Sequence, residues 1–299
     1  MRAIIGNMYI STKARRDIGM NELTFQTEKG TIHYWVNEFR AGRQTLVFLP
    51  GLTADHHLFD RQTECFDRDY NVLTWDAPGH AVSRPFVLDF TLMDKAKWLH
   101  GILEKEGIRH PVLIGQSMGG YVSQCFIERY PDEAAGFISI DSASLKRKYV
   151  TGIELWLLKR TEPIYRIYPW ESLKKAGAKG CAESEYGRAL MRSFTDTYTK
   201  DEYCRLAAHG YRMLAEAMEA ELPYEITCPA ILICGEEDKA GSTKRYNRTW
   251  AKEEGLPAFW LKGAGHNSNT DKPGKVNHLI KAFLDSLHQK SLLAEGDSI

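Results

Sequence analysis

PVLIGQSMGG (Pro111–Gly120) joins a short apolar run to the pattern G-x-S-x-G. The apolar run is partly β-branched, which predicts a buried central strand, and the amphipathic residues that follow predict a helix. A turn this sharp between strand and helix needs small residues on both sides, which Gly115 and Gly119 supply. We therefore expect the Ser117 hydroxyl to stand above the edge of a sheet, with the backbone amide of Met118 directed at the same point.

The chain has no net formal charge and enough apolar residues to form a large buried core. Of the 299 residues, 43% are hydrophobic, and 39 basic residues balance 39 acidic ones. This balance, without any long run of like charge, argues against nucleic acid or a strongly anionic surface as the main partner. The six cysteines form no C-x-x-C pair, which argues against a zinc cluster or a disulfide framework and fits a reducing compartment. They are Cys65, Cys125, Cys181, Cys204, Cys228 and Cys234.

No segment has the pattern of a secretion signal or a membrane span. The first twenty residues contain charged residues and lack a small-residue cleavage site, and charges interrupt every later apolar run. The sequence therefore predicts a cytoplasmic protein without a membrane span. Met20 is a plausible alternative start to Met1, because the first clear strand pattern begins just after it.

From residue 21 onward, strand patterns alternate with helical patterns. The predicted strands are residues 23–27, 31–39, 45–49, 71–75, 112–114, 136–140, 230–234 and 258–261. The predicted helices of this alternation lie within residues 92–103, 118–130, 242–254 and 275–288. Such alternation implies right-handed crossovers and a mainly parallel sheet with helices on both faces. The first two strands, joined by the tight turn at residues 28–30, should form an antiparallel edge.

The alternation stops between Asp141 and about Pro223, where only helical patterns occur. Three helices are predicted there, at Thr151–Arg160, Glu183–Phe194 and Lys200–Leu222. Most of the many aromatic residues in this segment should pack the helices together, while some line an apolar substrate pocket. We therefore predict a helical cap over the edge of the sheet. The domains are then an N-terminal extension, a core in two pieces and the cap: residues 1–20, 21–141 with 223–299, and 142–222.

The order of motifs along the chain resembles that of the α/β-hydrolase superfamily over roughly Leu23 to His288. Besides the G-x-S-x-G turn, the resembling loops are Leu49–Leu52, Asp76–Ser83, Gly235–Asp238 and Gly263–His266. Asp76–Ser83 departs from the family pattern D-x-x-G-x-G-x-S, because Ala81 stands in place of the second glycine. The resemblance implies an α/β-hydrolase fold with a helical cap, and a catalytic triad of serine, acid and histidine.

The hydroxyl of Ser117 is a poor nucleophile at neutral pH and needs an adjacent base. His266 is the candidate, because it follows a predicted strand in a Gly-rich loop, Gly263–Gly265, that can approach the edge of the sheet. The chain order serine, acid, histidine also agrees with the superfamily. A surface histidine would be the ordinary interpretation for most of the ten histidines in this chain.

An acid must hold the imidazole in the correct tautomer and stabilise the imidazolium that forms. Asp238, three residues after Gly235 at a predicted strand end, is our choice. Asp238 could instead cap the next helix, and Glu236 or Glu237 could serve as the acid, although these glutamates sit closer to the strand. Asp141 is the most serious alternative acid, because it also ends a central strand.

Negative charge develops on the substrate oxygen during attack, so the site needs hydrogen-bond donors there. The backbone amides of Leu52 and Met118 fit by position, one after the Pro50–Gly51 turn and one at a helix N-terminus. His56 and His57 follow in the same loop as Leu52. Either could touch substrate, but we expect a solvated pair.

The sequence offers no cofactor or metal site. It contains neither the dinucleotide pattern G-x-G-x-x-G nor the phosphate-binding pattern G-x-x-x-x-G-K-[ST], and no helix carries a histidine pair at metal-ligand spacing. We predict a monomeric or homodimeric serine hydrolase that cleaves a small to medium acyl or aryl ester through an acyl-Ser117 intermediate. Hydrolysis of a carbon–carbon bond, a lactone or a peptide would use the same triad. A non-enzymatic small-molecule binding protein on the same fold is the alternative from another class.

Overall fold

The computed structural model describes residues 19–296, with side chains as far as residue 289. The strands in this part of the chain are β1 (Asn21–Thr27), β2 (Gly30–Val36), β3 (Thr45–Leu49), β4 (Asn71–Trp75), β5 (Val112–Gln116), β6 (Gly136–Ile140), β7 (Ala230–Gly235) and β8 (Ala258–Leu261). The α-helices are α1 (Asp60–Phe66), α2 (Leu92–Lys105), α3 (Met118–Arg129), α4 (Gly152–Leu158), α5 (Thr161–Ile167), α6 (Trp170–Cys181), α7 (Glu185–Thr195), α8 (Lys200–Glu219), α9 (Thr243–Glu254), α10 (Ser268–Asp271) and α11 (Pro273–Gly296). The predicted N-terminal extension, residues 1–20, and with it the question of the start codon, lies almost entirely outside the described residues.

The eight strands form one sheet in the order β1-β2-β4-β3-β5-β6-β7-β8. β2 pairs antiparallel with both β1 and β4, and all the other neighbours pair parallel. The predicted mainly parallel sheet with an antiparallel edge is therefore confirmed. Every residue of β3, β4, β5 and β6 is buried, because helices cover both faces of the sheet. The G-x-S-x-G turn follows β5, near the middle of the sheet.

Alternate residues of the central strands belong to two separate apolar clusters, one on each face of the sheet. On β5, Leu113 belongs to one cluster, while Val112 and Ile114 belong to the other. This split follows from the two-residue repeat of a strand. Helices α2, α3 and α9 supply the first cluster with residues such as Trp250, and α1 and α11 supply the second with residues such as Ile280. The predicted three-layer arrangement is thus observed.

Five helices, α4 to α8, and no strand connect β6 to β7. The sequence predicted three of them; α5 and α6 were missed. Helix α5 contains no buried residue, and α6 buries only Leu173 and Ala178, so neither carries a repeating apolar face long enough to be recognised. The predicted helix Lys200–Leu222 ends at Glu219 instead. We refer to α4–α8 as the inserted helices.

Other differences from the predicted elements are small and lie at their ends. Strand β2 stops at Val36 rather than residue 39, and α11 runs over Pro273–Gly296 rather than 275–288. The short helix α1 was not predicted. Within residues 19–296, none of the helices is both long and apolar enough to pass through a lipid bilayer.

Candidate active site

The turn between β5 and α3 holds Ser117 in a backbone conformation that residues other than glycine rarely adopt, with φ 48° and ψ −114°. The glycines around it allow the close approach that this turn requires. A Cβ atom added to Gly115 would lie 2.4 Å from the carbonyl carbon of Gly119, and one added to Gly119 would lie 1.8 Å from the carbonyl oxygen of Leu49. Neither position can accept a side chain without moving the backbone. The predicted role of both glycines in this turn is confirmed by these distances.

Ser117, His266 and Asp238 form one continuous chain of hydrogen bonds. His266 Nε2 lies 2.8 Å from Ser117 Oγ, and His266 Nδ1 lies 3.0 Å from Asp238 Oδ2. Because an ionised carboxylate can only accept, Nδ1 carries the ring proton, and Nε2 is left to accept from the serine hydroxyl. Burial lowers the pKa of His266, but the charge and hydrogen bond of Asp238 outweigh burial and raise that pKa above its usual value.

Asp141, the alternative acid, bonds to Gly235 and Ser268 rather than to the imidazole. Its Oδ1 accepts from the Gly235 amide at 2.7 Å and from the Ser268 hydroxyl at 2.9 Å, and its Oδ2 accepts from the Ser268 amide at 2.7 Å. Burial, followed by the charge of Asp238, raises the pKa of Asp141 to about 8. Asp141 therefore joins the end of β6 to the end of β7 and to the residues just after His266.

Gln116, immediately before Ser117, also holds the loop that carries His266. Its side-chain amide donates to the backbone carbonyl of His266 at 2.7 Å and to Asn267 Oδ1 at 3.1 Å. This contact was not predicted from the sequence. A variable position of G-x-S-x-G carries no signal for it, since its partners lie 150 and 151 residues later.

Two further carboxylates bind the backbone of the same loop. Glu237 Oε2 accepts from the amides of Gly263 and Ala264, at 2.8 and 3.1 Å. Asp271 Oδ2 accepts from the Gly265 amide at 2.8 Å. Glu237, an alternative candidate for the catalytic acid, thus contacts the loop and not the ring of the histidine.

Asp271 also connects this loop to the inserted helices. Its two carboxylate oxygens accept from the amides of Glu183 and Ser184, at 2.9 and 2.8 Å, in the turn between α6 and α7. The amide of Asn267 donates to the carbonyl of Cys181, the last residue of α6, at 2.8 Å. The ends of α6 and α7 are therefore fixed to the segment that presents His266.

The loop after β3 brings Leu52 to the same edge of the sheet as Met118. β3 and β5 are neighbours in register, with Leu49 opposite Gly115, so the residues that follow them lie side by side. The Leu52 side chain packs on α8: a Cβ atom added to Gly210 would lie 2.5 Å from Leu52 Cδ1. Met118 begins α3, where the first backbone N–H groups have no partner within the helix.

The structure contradicts the expectation that His56 and His57 form a solvated pair. His56 is only 9% exposed, stacks on Trp35 with ring centroids 3.5 Å apart, and bonds through Nδ1 to Asp76 Oδ1 at 2.8 Å. The Asp76 carboxylate is fully buried at the end of β4 and also accepts from the His56 amide, which draws the ring inward. His57 is half-buried and bonds to Asp60 at 3.0 Å.

Three tyrosines and one thiol of the inserted helices lie near this site; Tyr203 is buried, whereas Tyr165, Tyr211 and Cys181 are half-buried. Tyr165 and Tyr211 share a hydrogen bond between their hydroxyls at 3.3 Å, and Tyr203 packs beside Tyr165. Burial, followed by the charges of Asp238 and Asp271, raises the pKa of Cys181 to about 12. Among the described residues, no group of three or more histidine, cysteine or acidic side chains could hold a metal ion, and all six cysteines are free thiols.

Comparison with known proteins places this geometry in context. A family model described as the alpha/beta hydrolase fold matches residues 44–161. The chain is 26% identical over 272 residues to the hydrolase YugF of Bacillus subtilis strain 168, covering 86% of this chain and 96% of that protein. It is 29% identical over 268 residues to a 2-hydroxy-6-oxononadienedioate/2-hydroxy-6-oxononatrienedioate hydrolase of a Pseudomonas species, covering 85% and 92%.

Solved structures agree in fold. The crystal structure of the enol-lactonase from Burkholderia xenovorans LB400 superposes with a TM-score of 0.69, at 21% identity, covering 88% of this chain and 100% of that chain. At this level of identity the similarity is one of fold. The predicted α/β-hydrolase fold is confirmed, and the sequence matches support a hydrolase.

Proposed function

For this chain, a member of the α/β-hydrolase superfamily, we propose the hydrolysis of a carboxylic ester through an acyl-Ser117 intermediate. The observation that carries the proposal is the contact of 2.8 Å between His266 Nε2 and Ser117 Oγ, with Asp238 bonded to the other ring nitrogen. This arrangement is what a serine needs to become a nucleophile at neutral pH.

In the first half of the reaction, Ser117 Oγ attacks the carbonyl carbon while His266 Nε2 takes the hydroxyl proton. The oxygen of the tetrahedral intermediate becomes negative and accepts hydrogen bonds from the amides of Leu52 and Met118. The intermediate then expels the alcohol, which receives the proton from His266. Asp238 keeps the ring in the required tautomer and stabilises its positive charge while it holds two protons.

In the second half, a water molecule replaces the alcohol. His266 takes a proton from the water, the resulting hydroxide attacks the acyl carbon, and the same two amides stabilise the second oxyanion. Collapse of this intermediate returns the proton from His266 to Ser117 Oγ and releases the carboxylic acid. The sequence of steps consumes one water and needs no cofactor.

The inserted helices act as the cap in this proposal, over residues 142–222. Leu52 packs on Gly210 of α8, and Asn267, next to His266, bonds to the end of α6. These contacts support a cap that forms one wall of the substrate pocket with its aromatic residues. A small to medium acyl or aryl group fits such a wall. The six free thiols support a reducing, cytoplasmic location.

A second candidate is hydrolysis of a carbon–carbon bond in a β-diketone-like substrate. The similarity to the Pseudomonas hydrolase over 85% of this chain favours it, because that protein is named for a 2-hydroxy-6-oxo-dienedioate. The same serine, base and oxyanion donors would act on the ketone carbonyl. The two candidates differ in the leaving group, which is an alkoxide from an ester and a carbanion from a diketone.

The experiment is labelling with a fluorophosphonate probe, wild type beside Ser117→Ala, followed by turnover of p-nitrophenyl esters of increasing chain length. We expect labelling of the wild type alone and turnover of short or medium esters. Labelling without ester turnover, with cleavage of a 2-hydroxy-6-oxo-dienoate, would favour the second candidate. Turnover of lactone or peptide substrates instead would indicate the remaining hydrolase branches. No labelling of folded wild-type protein would contradict both and favour a binding protein.

A further inference from the structure

Helices α4 and α5 expose an unusual number of apolar side chains. Ten large apolar residues are exposed to solvent in the part of the chain that the structure describes, and six of them lie within residues 153–168. We call these six the apolar patch: Ile153, Trp156, Leu157, Ile164, Ile167 and Tyr168. Single exposed apolar residues are ordinary, but a concentration of them marks a surface that binds a protein or a membrane.

The spacing of the patch residues places them on the outer face of each helix. From the first patch residue of each helix, the other two are three and four positions away, so they share one face. On α4 the buried Leu155 lies on the opposite side. On α5 the residue turned inward is Tyr165, whose ring packs beside Tyr203 of α8. Because both helices contact α8, the patch lies on the side of α4 and α5 that faces away from α8.

The segment that carries the patch has an excess of basic residues. Residues 146–182 contain nine lysines and arginines and three glutamates, which gives a formal charge of +6 in a chain whose total is zero. Each of the three glutamates is held in an ion pair. Five of the nine cations are also paired with carboxylates, and within residues 19–289 the remaining four are not: Arg147, Arg160, Lys175 and Lys179. The balanced charge of the whole chain therefore does not extend to this segment.

Arg160 joins this positive charge to the apolar patch. Its guanidinium lies over the Trp156 ring, 4.3 Å from the ring centre, and both residues are exposed. Tryptophan is enriched at the depth where lipid headgroups meet acyl chains, and the arginine guanidinium is suited to binding phosphate. The stacked pair therefore has the chemistry of a side-chain pair that lies at the surface of a bilayer.

A second copy of this chain fits the patch less well. In a two-fold symmetric dimer the same surface meets itself, so the positive segment of one copy would face the positive segment of the other. Like charges brought together oppose such a contact. An anionic bilayer instead offers hydrocarbon to the apolar side chains and phosphate groups to the unpaired cations.

We propose that the apolar patch docks this protein on the surface of an anionic lipid bilayer, with α4 and α5 lying in the plane of the interface. The patch side chains enter the boundary between headgroups and acyl chains, as the apolar face of an interfacial helix does. Arg160 binds a lipid phosphate at the edge of the patch. The proposal concerns binding to a surface and goes beyond the proposed hydrolysis.

The test is co-sedimentation of the full chain with lipid vesicles. One set contains phosphatidylcholine alone, and the other contains equal parts of phosphatidylcholine and phosphatidylglycerol. We expect the wild type to bind the mixed vesicles and to bind the neutral vesicles much more weakly. Ile167→Ser should weaken binding to the mixed vesicles by about tenfold, because an apolar side chain no longer leaves water. Val87→Ser, at an exposed apolar residue outside the patch, is the matched control and should bind as the wild type does.

The contribution of charge is tested separately. Arg160→Gln should weaken binding to the mixed vesicles by about fivefold, because one cation near an anionic bilayer contributes about 1 kcal/mol. Arg109→Gln is its control and should bind as the wild type does. Arg109 is exposed in the loop between α2 and β5 and forms no ion pair with a carboxylate of the described residues.

Four outcomes would overturn the proposal. The first three are failure of the folded wild type to bind mixed vesicles, equal binding by the wild type and both patch variants, and equal binding of the wild type to neutral and mixed vesicles. The fourth is a dimer in analytical ultracentrifugation that Ile167→Ser disperses, which would make the patch an interface between copies. Ile164→Ser replaces Ile167→Ser if the latter does not fold. Binding can also be measured in Ser117→Ala, so failure here is separable from failure of the proposed hydrolysis.

Discussion

The side-chain amide of Gln116 donates a hydrogen bond to the backbone carbonyl of His266 at 2.7 Å. The residue next to the proposed nucleophile thus fixes the main chain of the proposed base. This contact positions Ser117 and His266 relative to each other, in addition to the bond between their own side chains. A change at Gln116 should therefore alter the rate of the reaction, even though the Gln116 side chain is not a reacting group.

Gln116→Met should lower kcat by about 10- to 100-fold with little change in KM, because small displacements of a catalytic group have effects of that size. It should also reduce the free energy of unfolding by about 1–3 kcal/mol, since a buried carbonyl loses its donor. Steady-state kinetics and urea unfolding measure both. Gln26→Met, on the exposed face of β1, is the control. An unchanged kcat in a folded Gln116→Met protein would contradict the positioning role.

Asp238→Asn should lower kcat by about 10⁴-fold, because an amide at this position favours the wrong tautomer of the histidine. Ester turnover and fluorophosphonate labelling rates measure the effect, with circular dichroism to confirm folding.

Asp141→Asn is the matched comparison for the acid. An amide there presents N–H groups to the donors of Gly235 and Ser268, so the variant should lose stability by about 1–3 kcal/mol and retain much more activity than Asp238→Asn. If Asp141→Asn instead removed activity while keeping its stability, and Asp238→Asn stayed active, the assignment of the acid would be wrong.

The pH dependence of kcat/KM should show an acid limb that belongs to His266. The ring must be neutral to accept the serine proton, so activity falls as the pH drops below its pKa. Asp238 raises that pKa above the usual value of 6.5, and the limb of the wild type should lie above this pH. In Asp238→Asn the charge is gone, so the limb of the residual activity should move to lower pH. A limb that does not move would contradict the coupling of these two side chains.

Gly119→Ala should fail to fold or lose more than about 3 kcal/mol of stability, because its Cβ atom would lie 1.8 Å from the Leu49 carbonyl oxygen. Gly152→Ala is the matched control: no atom lies within 4 Å of a Cβ atom at this first position of α4. That change should be neutral or add up to about 1 kcal/mol, by restricting the unfolded chain. Thermal melting of both variants gives the comparison.

The centre of the sheet could be predicted because its strands are short apolar runs with a clear end: Pro50 follows β3, Asp76 follows β4 and Asp141 follows β6. β3, β4, β6 and β8 were predicted with the bounds that the structure has. The turn around Ser117 was predictable for the same reason: its strand, its glycines and its helix are consecutive in the sequence. Local patterns of this kind report local structure.

The contacts that hold the site together could not be predicted, because they join residues far apart in the chain. Gln116 bonds to residues 150 and 151 positions away, Asp141 to Ser268 127 positions away and Asp271 to Glu183 88 positions away. A polar side chain has no periodicity that would identify such a partner. His56 was misjudged in the same way, since its partner Asp76 lies on another strand end. Helix α5 was missed because none of its residues is fully buried.

Asp271 bonds both to the His266 loop and to the turn between α6 and α7. The inserted helices therefore differ in how firmly they are attached to that loop. Their α6–α7 part cannot swing away without pulling on the loop of the base. Helix α4 is bonded to the core at another place, where Glu154 accepts from the Ser242 hydroxyl at 2.8 Å and from the Arg245 guanidinium at 3.0 Å. Helix α5 bonds to α8 through Arg166 and Asp201 and carries the exposed Ile167. We therefore expect the opening for substrate to lie on the α5 side, while α6 and α7 hold the loop of the proposed base, His266, in place.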